Sequence, residues 1–303
     1  MILFLFRKKR LTGQLLSLAL LTAAVWKQAY RLNLTFGSEQ LITVGLLFLC
    51  LLGVDLSINR NGWVKNSSYH LVLFPLLVAA LPWEIWNNWL LVFSLFFWSS
   101  FLQVVTLNQG EHFEKKVFNA GFLYCFGALF VPNALLCYPL LLVFLALKNH
   151  LSFKVFFLLL VSVVSLVLLD VIVHFWRPAY FLFPPLETLN LTMRLPIENG
   201  IKPNLWWGLI FLMLLFSIVR HSQDKPSKNA AYGAGLNTLF FSVVFAFLYG
   251  IFIDNNSGFS WVLMAMCTST LFPRTLERIS SPWLREALFG VFVLCVFYAS
   301  IRV

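Results

Sequence analysis

Asp170, His174 and Arg177 stand at i, i+4 and i+7 in the run Leu168-Leu169-Asp170-Val171-Ile172-Val173-His174-Phe175-Trp176-Arg177. On a helix, that spacing lines an acid, a titratable imidazole and a cation along one face. The neighbours are apolar, and ionisable residues inside an apolar span mark functional sites by default. Two readings of the stripe stand side by side. In one, Asp170 and His174 are the chemical groups of a functional face. In the other, the stripe is a helix-end ion pair that snorkels outward to the headgroups. Placing an aspartate at mid-membrane costs about 2.5–3.5 kcal/mol on insertion scales, and less near the interface.

A second polar cluster is Asn108-Gln109-Gly110-Glu111-His112-Phe113-Glu114-Lys115-Lys116. Glu111 and Lys115 form an i,i+4 pair if the segment is a short interfacial helix. His-x-Glu occurs in metal sites, but it needs partners. Neither HExxH nor a second His at ligand spacing is present, so a surface helix is expected and a metal site is not. Asp55 lies at the end of an apolar segment close to Arg60 and reads as an ordinary helix-end charge. The five cysteines, Cys50, Cys125, Cys137, Cys267 and Cys295, fall inside apolar stretches without a CxxC spacing and read as small packed residues. The sequence holds no GxGxxG, GxxxxGK[ST] or GxSxG motif, so neither nucleotide binding nor any other cofactor is expected.

The elements that position these groups follow from composition. The chain has 303 residues, 60% hydrophobic, 17% aromatic and 11% charged. A soluble domain carries about 25% charged residues, which excludes a water-soluble globule. The chain is too apolar for disorder and too long for a disulfide scaffold. A polytopic membrane protein remains: an all-α transmembrane helical bundle, with residues 1–303 forming a single integral membrane domain. A span takes about 20 apolar residues. Eleven apolar segments qualify, at 11–26, 41–58, 70–82, 86–107, 118–131, 133–147, 153–176, 204–219, 233–253, 257–272 and 284–301. Three of them, 70–82, 118–131 and 133–147, reach only about 20 Å as straight helices. Pro75, Pro82, Pro132 and Pro139 punctuate this region, so short hairpins or re-entrant helices are expected there.

With the N-terminus in the cytoplasm and strict alternation, sixteen of the 22 Lys and Arg fall on inner segments and six on outer ones. That bias favours about eleven spans, N-in and C-out. The net charge of +10 is thus spread between apolar segments, which argues against a nucleic-acid partner. Ten of the eleven Trp, all but Trp98, sit at span ends or in connections, as interfacial belts do. Arg7, Lys8, Lys9 and Arg10 follow the apolar Ile2–Phe6 stretch, so the first apolar run reads as an uncleaved span. Residues 177–203 form one long outer surface loop, with five prolines and the charges Arg177, Glu187, Arg194, Glu198 and Lys202. Small-residue stripes such as Ser242/Ala246/Gly250 and Ala19/Ala23 fit close helix packing, within the chain or against other inner-membrane proteins.

The block from Phe118-Asn119-Ala120-Gly121-Phe122-Leu123 through Phe130-Val131-Pro132-Asn133-Ala134-Leu135-Leu136 and Pro139-Leu140-Leu141-Leu142 is followed by Lys148-Asn149-His150-Leu151-Ser152-Phe153-Lys154. Together they resemble a family of bacterial polytopic inner-membrane proteins, which implies multi-pass insertion in the bacterial cytoplasmic membrane. Some members of that family carry the label beta-carotene monooxygenase. The label implies an iron site built from several His, which the five scattered His here do not provide. More remotely, short paired helices followed by longer spans look like the GT-C-type membrane glycosyltransferases. Those enzymes use polyprenyl-phosphate-linked sugars and an acid in the first outer loop as base. In this chain that loop, Lys27 to Gln40, offers Glu39 without the paired acids common in the group. The resemblance implies Glu39 as the catalytic base; Asp170 and His174 are further catalytic candidates from their own stripe. It also implies that Arg177, Arg194 and Lys202 bind the lipid phosphate.

Three functions are therefore expectations. The first is a non-catalytic component of a cell-envelope assembly or export system, with membrane lipids and other inner-membrane proteins as partners. The second is a GT-C-like transferase acting on a lipid-linked glycan at the outer face. The third is a proton-coupled transporter, resting on Asp170 and His174, although no inverted repeat is evident.

Overall fold

Apolar runs fold as helices where their ends can be capped, and the capping residues set the boundaries. A computed structural model describes residues 10–31, 33, 36–64, 68–80, 88–107, 112–131, 134–135, 138–176, 213, 216–217, 236–244, 246 and 259–302. The described helices are α1 (Arg10–Arg31), α2 (Ser38–Asn61), α3 (His70–Ala79), α4 (Asn88–Val105), α5 (Phe113–Ala128), α6 (Pro139–Leu147), α7 (Phe153–Trp176), α8 (Phe259–Glu277) and α9 (Pro282–Arg302). Residues 236–244 are helical as well, and no strand occurs among the described residues. The chain is all-α. Three of the helices, α2, α4 and α7, are long and apolar enough to cross a membrane, and α3 is a shorter apolar helix. Residues 177–212, most of segment 204–219 and much of segment 233–253 lie outside the described residues.

Local chemistry accounts for several boundaries. At the start of α2 the Gln40 side chain accepts from the Gly37 N–H at 2.9 Å. At its end Gly62 takes φ 61°, and the N–H of Trp63 reaches the Ile58 carbonyl at 3.2 Å. That left-handed cap costs glycine little and other residues more. The polar cluster expected as a separate surface helix is continuous with the next apolar run: α5 begins at Phe113, behind His112 at φ 72°, so Glu114, Lys115 and Lys116 form its opening turns. Glu111 lies outside the described residues.

Named contacts give the direction of each helix. Thr43, near the start of α2, donates to Asn88 at the start of α4 (2.7 Å), and Trp98 in α4 donates to Ser57 further along α2 (2.7 Å), so α2 and α4 are parallel. Gln14 early in α1 meets Asp55 late in α2, which makes that pair antiparallel. Lys154 at the start of α7 pairs with Glu114 at the start of α5, and Lys148 after α6 meets the last turn of α4. Helix direction therefore alternates from α1 to α7.

The short helix α3 sits at the centre. Its ten residues cover about 15 Å, and all but Leu76 and Ala79 are buried. Helices α1, α2, α8 and α9 pack around it. A helix apolar on every side belongs inside a larger bundle. Pro75 in its middle has no N–H, which releases the carbonyl four residues back. That carbonyl belongs to Leu71, and the buried Ser17 hydroxyl of α1 donates to it. A neighbouring helix thus supplies the donor that proline removes, the usual remedy where water is absent. Ser17→Ala should cost about 1 kcal/mol of stability. The same change in a Pro75→Ala background, where the backbone N–H returns, should cost measurably less. A double-mutant cycle on thermal unfolding in mild detergent checks this, and additive effects would contradict it.

On the other side, α5 lies between α4 and α7. Rings of α4 and α5 interleave, with Phe97 and Tyr124 at 5.6 Å and Phe96 and Phe126 at 5.0 Å between centroids. Gly121 brings α5 close enough to α7 that a Cβ would strike the Ser162 hydroxyl, and Gly127 does the same against Phe96 of α4. Small residues at such crossings let helix backbones approach. Helix α7 buries Val155, Leu159, Ser162 and Leu166. That i, i+4, i+7, i+11 stripe is one narrow face, while Phe156, Phe157, Leu160, Val164 and Leu168 stay exposed.

Candidate functional site

Among the described residues, the most deeply buried ionisable pair is Asp55 with His70. Asp55 occupies the last third of α2, and His70 is the first residue of α3. Because α2 turns back into α3 through a short connection, the two side chains meet, and His70 Nε2 lies 2.8 Å from Asp55 Oδ1. The residues are 5% and 2% exposed. The expected helix-end charge is thus an interior one, while Arg60, one turn further on, is exposed.

Two further side chains hold the carboxylate. Asn59 Nδ2 donates to Asp55 Oδ1 at 2.8 Å and to its backbone carbonyl at 2.6 Å. Gln14 Nε2 from α1 donates to Oδ2 at 3.4 Å. A carboxylate only accepts, so with Asp55 ionised the contact requires the proton on His70 Nε2. His70 Nδ1 is then left buried without a hydrogen-bond partner. Two residues further along α2, Ser57 donates to Gly53 O at 2.6 Å and accepts from the Trp98 indole. Gly53 provides the room, because a Cβ there would come within 3.2 Å of the Trp98 ring. The arrangement can hold a proton between two titratable groups, or it can fix the α1–α2–α3 register. It offers too few donors for a metal, and no cluster of three His, Cys, Asp or Glu occurs among the described residues.

The same end of the bundle gathers more charge. Tyr69, next to His70, stacks on Phe289 of α9 at 5.3 Å and hydrogen-bonds the Arg285 side chain, with Glu277 and Glu286 nearby. Arg274 near the end of α8 is buried with Thr268, Ser269, Thr270 and Thr275. Beyond the last turn of α4, Lys148 donates to the carbonyls of Val105 and Leu107, and Lys116 donates to that of Thr106 at 2.8 Å. Cations suit the carbonyl end of a helix, where the dipole is negative. Burial, and then the adjacent Lys116, bring the Lys148 ammonium down from its ordinary 10.5 to about 8. Between those two values the unfolded chain holds a proton that the folded chain has released, so stability rises with pH across the window. Thermal midpoints from pH 8 to pH 10 should therefore climb more in the wild type than in Lys148→Met; parallel curves would contradict this.

The residues expected from sequence are placed as follows. Asp170 and His174 are half-buried on α7, each in polar or electrostatic contact. They continue the Val155/Leu159/Ser162/Leu166 stripe by one and two turns, so they share the face that α7 turns toward α5. Glu39 is exposed in the first turn of α2 and makes no ion pair among the described residues. Arg177, Arg194 and Lys202 lie outside the described residues, so nothing brings them to Glu39 or Asp170 here. His70 escaped the sequence reading. Its signal was its place at the head of an apolar segment, directly after the segment that ends in Asp55.

No family model, curated protein or solved structure matches the chain.

Proposed function

We propose that the chain is a multi-pass protein of the bacterial inner membrane, with about eleven spans, N-in and C-out, and that it serves as a non-catalytic component of an envelope assembly or export system. The observation that carries the membrane reading is α7. It is 24 residues long, buries a single stripe, and leaves the rest of its apolar surface bare, with Phe153 86% exposed. A protein in water rarely exposes so large a continuous apolar patch. Sidedness supports the orientation. Eight of the nine described Lys and Arg side chains lie at the end where α2, α4, α6 and α8 finish, and Lys27 lies at the other. That end is the cytoplasmic one by the positive-inside rule.

The assembly reading predicts stable partners. Purification of the full chain in mild detergent, after cross-linking in the native membrane, should bring down a reproducible set of envelope proteins. Recovery of the chain by itself under every condition would count against it. Proton coupling is the second reading, and the buried Asp55–His70 pair favours it, because intramembrane Asp and His residues recur in proton relays. The transferase reading needs an outer-facing acid, Glu39 first among them, near Arg177, Arg194 or Lys202, and those three cations lie outside the described residues.

A further inference from the structure

Five cations of the basic end show two kinds of use. Lys116 and Lys148 are spent on the carbonyls at the end of α4, and Arg285 on Ile279 O at 3.1 Å and on Tyr69. Lys115 and Lys154 are exposed instead, at the starts of the parallel helices α5 and α7. Phe153, 86% exposed, and Leu151, 60% exposed, shortly precede Lys154 in the chain, and the bare apolar face of α7 runs on from Phe153. Among the described residues, the acid in this corner is Glu114, more than half exposed in its ion pair with Lys154. Exposed pairs of that kind are weak, so Lys154 remains available to a second anion.

A ligand that fits must offer a phosphate to two lysines and an acyl chain to the apolar face that runs on from Phe153. An acidic protein or a nucleic acid matches the lysines and not the apolar wall. We propose that the α5–α7 corner, with Lys115, Lys154 and Phe153, binds the headgroup and upper acyl chain of an anionic phospholipid. The inference rests on the membrane reading above and adds a lipid class and a place. Each lysine near an anionic lipid contributes roughly a five-fold preference.

The test is native mass spectrometry of the full chain released from detergent and titrated separately with phosphatidylglycerol and phosphatidylcholine. The wild type should bind the first phosphatidylglycerol more tightly than phosphatidylcholine. Lys115→Gln and Lys154→Gln should each reduce that preference about five-fold, whereas Lys115→Arg and Lys154→Arg should keep it. Glu114→Gln should raise it, because a competing carboxylate is gone; a merely structural ion pair would predict loss. Equal binding of both lipids, or a preference unmoved by the Gln variants, would overturn this inference and leave the membrane reading intact. A chain that stays in solution without detergent and takes up neither lipid would overturn both.

Discussion

His70→Leu should destabilise the protein by about 3–5 kcal/mol, the loss expected when one member of a buried charged pair is removed. Asp55 would be left in the interior with Asn59 and Gln14 as its named donors. Asp55→Leu should cost less, about 1–3 kcal/mol, because the imidazole left behind can be neutral. The double change Asp55→Leu/His70→Leu should recover much of the loss, since apolar residues of similar volume often replace a buried pair without penalty. Unfolding midpoints in mild detergent check the ordering. The double variant also separates the two roles of the site. If the pair only fixes the register of α1, α2 and α3, the double variant regains its cellular role along with its stability. If the pair handles protons, stability returns and the role does not.

The second large effect belongs to Gly127. A Cβ at that position would lie 2.7 Å from Phe96 Cβ and 3.0 Å from the Phe93 ring. Phe96 Cβ is fixed to the backbone of α4 and can yield only if the helix shifts. Gly127→Ala should therefore cost about 1–3 kcal/mol through overpacking, despite the better helix propensity of alanine. Gly45 and Gly290, also helical, have open space where the Cβ would go. Alanine there should be neutral or stabilising by about 0.5–1 kcal/mol. Similar midpoints for Gly127→Ala and Gly45→Ala would show that α4 and α5 are not packed this closely.

How much of this was legible in the sequence depended on distance along the chain. Apolar runs broken by Pro, Gly and charge place the helices, because hydrophobicity and capping act within one segment. The common face of Asp170 and His174 was legible for the same reason, being one turn of a single helix. Asp55 and His70 were not, since no period links residues on different helices; the pairing follows only from how α2 folds back on α3. The role of Ser17 was hidden in the same way. Pro75 announces a released carbonyl, but nothing local says that a hydroxyl 54 positions earlier in the chain satisfies it. The α5 boundary was misplaced by five residues, to 118 instead of Phe113. Hydropathy drops at Glu114, Lys115 and Lys116, although the backbone stays helical through them.

In the proposed orientation the bundle crosses the membrane with its basic end in the cytoplasm. Labelling of single cysteines in spheroplasts tests it most directly, with a membrane-impermeant maleimide and a background lacking Cys50, Cys125, Cys137, Cys267 and Cys295. Lys27 and Lys154 are both exposed and lie at opposite ends. Lys27→Cys should react in intact spheroplasts, and Lys154→Cys should react only after the membrane is opened. Reaction of Lys154→Cys from outside, or equal reaction at both positions before permeabilisation, would rule this orientation out.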